Sequence, residues 1–423
     1  MRVLMFGWEF PPHIAGGLGT ACYGMTRGLA ENGVEVLFVM PSASGDEDQS
    51  SVRIINASDV AVDTMSETVD EFLGKVRFVH VGTNMVPYVS PEDFSSVVEE
   101  ERARQIKDFR ITYGQKYQFS GKYGSNLMEE VARYGMVGGT IALQHCDEFD
   151  VIHAHDWLTY LAGIAAKQLT GKPLVVHVHA TSFDRSSDDN IDTRVYDLEK
   201  RGMEAADKVI TVSELTRNIV INKYGIDPAK VVTVHNAVDF SGRAGITVQR
   251  GVKDKIVTFL GRVTYQKGPE YFIEAAAKVL KRCDNVRFVM AGSGDMLNRC
   301  IRHVARLGIA DRFHFTGFLR GDDVRKMFAL SDVYVMPSIS EPFGISPLEA
   351  MQTNVPSIIS KQSGCAEVLK YALKVDFWDV DAMSDAIYGL LNYPALSDFA
   401  TRCGYDEVNA LKWTAAAAKV KAV

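Results

Sequence analysis

The sequence predicts an α/β protein made of two doubly wound, parallel-sheet domains. Three observations carry this prediction. Short apolar runs alternate with amphipathic helical stretches, and the alternation occurs twice. A polar, glycine-containing break without periodicity, from about 240 to 254, separates the two series. Several apolar runs end in glycine, histidine or charged residues, and ligands of open parallel sheets bind beyond the carboxyl ends of the strands. The length agrees, since 423 residues exceed what one hydrophobic core usually holds.

Taken in order, "RVLMFGWEF" reads as a buried strand. A glycine loop, an amphipathic helix ended by Asn-Gly and a second strand follow in "HIAGGLGTACYGMTRGLAENGVEVLFVMP", which makes a β-loop-α-β unit. Residues 43 to 75 are polar and acidic in part. "KVRFVHVG" reads as a strand, and residues 92 to 147 read as largely helical with a charged face. "FDVIHAHD" and "PLVVHVHAT" are short strands ending in histidine and polar residues, with the helix of "WLTYLAGIAAKQLTG" between them. "ADKVITVS" and "KVVTVHNAVD" continue the alternation. After the break come "KIVTFLGRV", "VRFVMAGSG", "FHFTGFL", "DVYVMPS" and "VPSIISK", each separated from the next by a helical stretch.

Composition excludes some functions. An apolar fraction of 47% and a charged fraction of 23% are ordinary for a soluble globular protein, and the net charge of -7 argues against a nucleic-acid binder with a general basic surface. None of the six cysteines forms a C-x-x-C pair, so they read as reduced, mostly buried thiols of a cytoplasmic protein. The apolar run at the N-terminus is too short for a signal peptide, and no run approaches a membrane span.

Four constellations carry chemistry. "SISEPFGISPLEAM" sets Glu341 and Glu349 with seven residues between them around a strand, tight loop and helix, with Pro347 in the first helical turn, where its missing N–H costs nothing. Amides of such a loop point at whatever lies beside it. An isolated pair of this kind also reads as helix-capping acids. "GGLG", with Gly16, Gly17 and Gly19, opens a helix and suits an anion. A dinucleotide fingerprint would need glycine at Cys22, so the choice lies between a phosphate loop and a plain tight turn. "GRVTYQKG" places Arg262 and Lys267 between a strand and a helix, two cations suited to a diphosphate. "HAHDW" and "HVHATSFDRS" end two strands. His153 and His177 read as core histidines satisfied by backbone, while Asp156 and His179 stand last, where a ligand would lie. With no further acidic or thiol ligand at a clear spacing, no metal is expected.

The ordered set "GGLG", "HAHDW", "HVHATSFDRS", "VSELT", "HNAVD", "GRVTYQKG", "AGSG", "TGFL" and "EPFGISPLEAM" resembles the retaining glycosyltransferases of the GT-B fold. Within them it is similar to the glycogen and starch synthases and their glycosyltransferase family 4 relatives, in order over nearly the whole chain. The resemblance implies two Rossmann-like domains facing across a deep cleft: an acceptor-side domain over 1–245, a nucleotide-sugar domain over 246–404, and a C-terminal helix, 405–423, crossing back to the first. It implies a hexosyltransferase that takes glucose from UDP- or ADP-glucose to an α-glucan acceptor without cofactor or metal.

The same resemblance assigns residues. Arg262 and Lys267 match the cations on the diphosphate. Glu341 matches the acid by the transferred sugar, and Glu349 the acid on the ribose hydroxyls. The amides of Phe343, Gly344 and Ile345 match those on sugar hydroxyls or phosphate. Gly17 meets the diphosphate from the first domain. His179 and Asp156 lie toward the sugar or acceptor. Gly317 and Leu319 meet the base by backbone, and Gly292 of "AGSG" joins the nucleotide-sugar set. One departure bears on the donor: Ile14 stands where synthases using ADP-glucose usually have lysine, which weakens an ADP-glucose assignment. Two other readings remain. One is a family 4 transferase of lipopolysaccharide or exopolysaccharide synthesis, with "KVRFVHVGTNMVPYV" as the stretch to inspect for a membrane-facing patch. The other is a sugar-nucleotide-binding protein without turnover.

Overall fold

The computed structural model describes residues 1–13, 16–62, 114–124, 126–186, 190–238 and 248–423. These fall into two compact units. The first comprises Met1–Phe183, Asp188–Asn236 and Trp413–Val423; the second comprises Asp184–Ser187 and Ala237–Lys412.

The first unit holds a seven-stranded sheet of β1 (Arg2–Phe6), β2 (Glu35–Met40), β3 (Arg53–Asn56), β4 (Val151–His155), β5 (Leu174–Val178), β6 (Lys208–Thr211) and β7 (Val231–Thr233). The strand order is β3-β2-β1-β4-β5-β6-β7 and every pairing is parallel. The helices are α1 (Gly17–Glu31), α2 (Leu127–Gln144), α3 (Trp157–Thr170), α4 (Thr193–Ala205) and α5 (Glu214–Tyr224). One face of the sheet, with Leu4 and Phe6 of β1, Ile152 and Ala154 of β4 and Val176 of β5, packs into a core with Tyr134, Val137 and Leu161 of the helices. Fully burying a side chain such as Phe6, at 0% exposure, stabilises by roughly 2–3 kcal/mol. Because side chains alternate along a strand, His153, His155 and His177 stand on the opposite face.

The last helix, α12 (Trp413–Ala422), belongs to this unit and packs on α1. Glycines on α1 make the approach possible. A Cβ at Gly24 would stand 2.2 Å from the Trp413 indole, and one at Gly28 would stand 2.5 Å from the Trp413 carbonyl oxygen. Asn32 Nδ2 donates to the Thr414 carbonyl at 2.9 Å, and Lys421 Nζ donates to the Asn32 carbonyl at 2.7 Å.

The second unit holds six parallel strands, β8 (Lys255–Leu260), β9 (Val286–Ala291), β10 (Phe313–Gly317), β11 (Val333–Met336), β12 (Ser357–Ser360) and β13 (Leu373–Val375), in the order β10-β9-β8-β11-β12-β13. Its helices are α6 (Pro269–Leu280), α7 (Leu297–Arg306), α8 (Asp322–Leu330), α9 (Ser346–Gln352), α10 (Val380–Asn392) and α11 (Pro394–Ala410). In both sheets the chain starts in the middle, winds outward, then returns to the centre and winds the other way. The order reverses between β1 and β4 in one unit and between β8 and β11 in the other, and such reversal points are where open α/β sheets bind ligands.

Some expectations differ from this structure. Residues 114–124 are not helical; they form turns and extended backbone, and the helix begins at Leu127. The units change over at 236/237, where 245/246 was expected. The return to the first unit begins at Trp413, where 405 was expected. Residues 405–410 finish α11, and the chain leaves the helix at Leu411 and Lys412 before α12 starts, so 405–423 is two helices. The strand and membrane-patch readings of 75–89, the helical reading of 92–113, Ile14, and the part of the linker at 239–247 lie outside the described residues.

Candidate active site

The second unit brings the motif residues together at its reversal point. β8 ends at Leu260 and leads through Gly261 and Arg262 into a single 3-10 turn, Tyr265–Lys267, before α6. β11, its neighbour, ends at Met336 and leads into the loop that carries Glu341. Lys267 Nζ and Glu341 Oε2 form an ion pair, and Ser338 Oγ donates to the same oxygen at 3.1 Å. The two side chains are 20% and 9% exposed, so the pair is well shielded but reachable. Such a pair strengthens as water is excluded from it.

Backbone bonds fix this geometry. Ile339 N–H donates to the Gln266 carbonyl at 2.8 Å, tying the Glu341 loop to the turn that holds Lys267. Glu341 N–H donates to the Gln362 carbonyl at 3.0 Å, and Gly364 N–H donates back to the Glu341 carbonyl at 2.9 Å. Arg262 Nη2 donates to Gln266 Oε1 at 3.2 Å, which aligns the second cation with the same turn. Gly292 explains the depth of this edge. Its φ is +150°, and a Cβ there would stand 1.8 Å from the Gly261 carbonyl oxygen, so only glycine lets the loops after β8 and β9 pass.

The remaining expected residues lie on the same edge. Gly317 ends β10, and its carbonyl accepts from Gly292 N–H at 2.8 Å. Leu319 follows in that loop and packs on a small cluster with Ile256, Val289 and Ala291. Phe343 is buried, and its carbonyl accepts from Cys365 N–H at 2.7 Å. Gly344 turns with φ +94°, Ile345 caps α9, and Glu349 sits in the first turn of that helix with Pro347 beside it. Burial, with the Glu341 charge adding to it, raises the Tyr334 phenol well above its ordinary range. Burial likewise pushes the Cys365 thiol up to about 12. Neither group supplies a proton acceptor at neutral pH.

In the first unit the reversal point lies between β1 and β4. Asp156 stands one residue past β4 with φ +59° and ψ 168°, a backbone conformation that is costly for a residue with a side chain. Its Oδ1 accepts from His179 N–H at 2.7 Å and Ala180 N–H at 3.3 Å, so the carboxylate shapes the loop after β5. His179 stands one residue past β5, its Nε2 paired with His155 Nδ1 at 2.9 Å. Gly17 is the first residue of α1, and nothing lies within 4 Å of where its Cβ would stand.

Two findings correct the expectation for the histidines. His153 Nε2 and both ring nitrogens of His177 are buried without a hydrogen-bond partner, so backbone does not satisfy them. A thiol does come near, because Cys22 Sγ, His155 and His179 offer ligand atoms within 4.8 Å of one another. Burial holds His153 down at about 4 and His179 down at about 3, which keeps both rings neutral at neutral pH.

Glu9 also escaped the sequence reading. It is 5% exposed, and its Oε1 accepts from Gly19 N–H at 3.1 Å, a carboxylate on the first turn of α1. The available signal was an acid inside the apolar run "FGWEF". Ser338 and Gln266, which position Glu341 and Arg262, carry no motif signal.

Comparison with known proteins shows the family of the chain. Residues 2–233 match the starch synthase catalytic domain family, and residues 247–406 match the glycosyl transferases group 1 family. An uncharacterized glycosyltransferase of Methanocaldococcus jannaschii is 30% identical over 387 residues, covering 88% of this chain and 83% of its own. Glycogen synthase of Mycobacterium tuberculosis is 23% identical over 401 residues, covering 93% and 87%. Among solved structures, sucrose-phosphate synthase of Thermosynechococcus elongatus superposes with a TM-score of 0.70 over 99% of this chain and 97% of its own, at 18% identity, a likeness of fold.

Proposed function

We propose, of a chain that belongs to the glycosyltransferases with a starch synthase catalytic domain and a group 1 domain, that it moves glucose from UDP- or ADP-glucose onto an α-glucan acceptor in the cytoplasm with retention of configuration. The observation that carries this reading is the Lys267–Glu341 pair at the reversal point of the second sheet, with Arg262 on the same turn. A nucleoside diphosphate needs fixed positive charge near its phosphates as the bond to the sugar breaks, and preorganised charge of this kind often lowers a reaction barrier more than any other feature of an active site. The similarity to a glycogen synthase over 93% of the chain supports the glucan acceptor.

In this reading the diphosphate lies against Arg262 and Lys267. The glycosidic bond loosens to an oxocarbenium-like sugar, and the acceptor hydroxyl enters from the face the phosphate leaves. The departing phosphate takes the acceptor proton. Glu341, held by Lys267 and Ser338, orients the sugar and stabilises its developing positive charge. Glu349 takes the ribose, and the amides of Phe343, Gly344 and Ile345 take sugar hydroxyls or phosphate. The cationic side chains do the work a metal would otherwise do.

The test is nucleotide release from UDP-glucose and from ADP-glucose, each with and without glycogen. Glycogen-dependent release from one donor, with an α-linked product, supports the proposal and names the base. Release that ignores glycogen moves the acceptor to another glycan. Donor binding without release under any acceptor removes the catalytic reading.

A further inference from the structure

We propose that His153, His155 and His177 form a binding site for a borderline-soft divalent cation of the Zn²⁺ type, adjoining the residues Asp156 and His179. The three side chains stand on one face of the first sheet, where His155 pairs in register with His177, and they are 3%, 0% and 0% exposed. Burying a ring nitrogen without a partner costs the hydrogen bond it made to water. Four such nitrogens lie here: Nε2 of His153, Nε2 of His155 and both of His177. Apolar side chains of similar size would fill the same space without that cost. An ion would satisfy three of the four by taking one lone pair from each ring, leaving one N–H of His177.

The donor set fits. The ligand atoms of the three histidines lie within 4.8 Å of one another. Neutral imidazoles suit zinc, copper and nickel, whereas magnesium and calcium prefer oxygen. His155 also has the second contact that metal-bound histidines characteristically make. Its Nδ1 meets His179 Nε2 at 2.9 Å, and with the proton on Nδ1 the lone pair of the unpartnered Nε2 is free to bind. Around one tetrahedral ion with bonds of about 2.0–2.1 Å, ligand nitrogens stand roughly 3.4 Å apart, so the site must contract by up to about 1.4 Å. The rings are near-parallel, with interplanar angles of 33°, 8° and 24°, so binding must also turn them toward a common point.

Three neutral ligands leave the charge of a dication uncompensated. Negative charge is close by in the carboxylates of Glu9 and Asp156, which act on Cys22, and the Cys22 thiol in turn groups with His155 and His179. The bound ion would tie the ends of β4 and β5 together, and Asp156 and His179 are the next residues on those two strands.

The test uses the untagged full chain, stripped with chelator and titrated with Zn²⁺ against a chromogenic competitor and with Co²⁺ by visible absorption. The expected result is one equivalent of either metal and tetrahedral Co²⁺ bands. His153→Gln and His177→Gln should each weaken binding by at least about tenfold while far-UV circular dichroism stays unchanged. X-ray absorption of the zinc-loaded wild type counts imidazole ligands without any variant, and three are expected. Substoichiometric uptake at micromolar free metal, equal affinity in folded variants, or a spectrum with fewer than three imidazoles would overturn the proposal.

Discussion

Lys267 and Glu341 are 74 residues apart in sequence and form an ion pair at the point where the second sheet reverses its strand order. The pair joins the turn after β8 to the loop after β11, so a change at either residue acts on both. In the proposed mechanism, Lys267→Ala removes the charge that faces the leaving phosphate, and it also frees Glu341. We expect kcat to fall by about 10²–10³-fold with a much smaller change in KM for the sugar nucleotide. Steady-state release assays check this, and turnover within a few-fold of wild type would remove Lys267 from the transfer step.

Asp156 combines an unfavourable backbone conformation with a buried carboxylate that accepts two amides. Asp156→Ala keeps the strain and strands the His179 amide, at a cost of about 1–3 kcal/mol. Asp156→Gly loses the same acceptor but adopts the positive φ readily, so it should be the more stable of the two by roughly 1 kcal/mol. Urea denaturation of the pair measures the difference. An Ala variant as stable as the Gly variant would mean that the backbone relaxes.

Trp413 holds α12 against α1 through the space that Gly24 leaves. Trp413→Ala opens a cavity and should cost about 3–5 kcal/mol, while Gly24→Ala drives a methyl into the indole. The two should not add, because without the indole the methyl has room. A double-mutant cycle by thermal or urea unfolding tests this coupling, and strict additivity would refute the packing argument.

Burial pushes the Cys300 and Cys365 thiols up to about 12, and Cys22 and Cys283 are buried as well. At pH 8 the Cys300 and Cys365 thiols have almost no thiolate, which is the reactive form, and burial shields Cys22 and Cys283 from the reagent. Iodoacetamide on the native protein should label only Cys146 and Cys403, which are partly exposed, and all six after unfolding. Peptide mass spectrometry reads the sites. Labelling of Cys365 in the native protein would show that the loop behind Glu341 opens.

By itself the sequence determined the alternation of strand and helix, the existence of two sheets and the loops that carry the candidate residues. These follow from short-range physics. Apolar periodicity distinguishes strand from helix, Asn32 and Gly33 end α1, and Pro347 sits in the first turn of α9. Arg262, Lys267, Glu341 and Glu349 were legible for the same reason, since each lies in a compact stretch whose residue types match the chemistry of a nucleotide sugar.

Only the tertiary structure decided which distant residues meet. Strand order sets β8 beside β11 and so pairs Lys267 with Glu341, and no local pattern encodes that neighbour. Register brings His155 opposite His177 and buries unpartnered nitrogens where spacing alone suggested satisfied core residues. The same is true of Cys22, which lies on α1, more than a hundred residues before the histidines it approaches. It holds again for Trp413, whose seat exists because Gly24 and Gly28 of α1 leave it open. Contacts of this kind depend on how the sheet is wound and which face each strand turns to the core, and those are settled only when the whole unit packs.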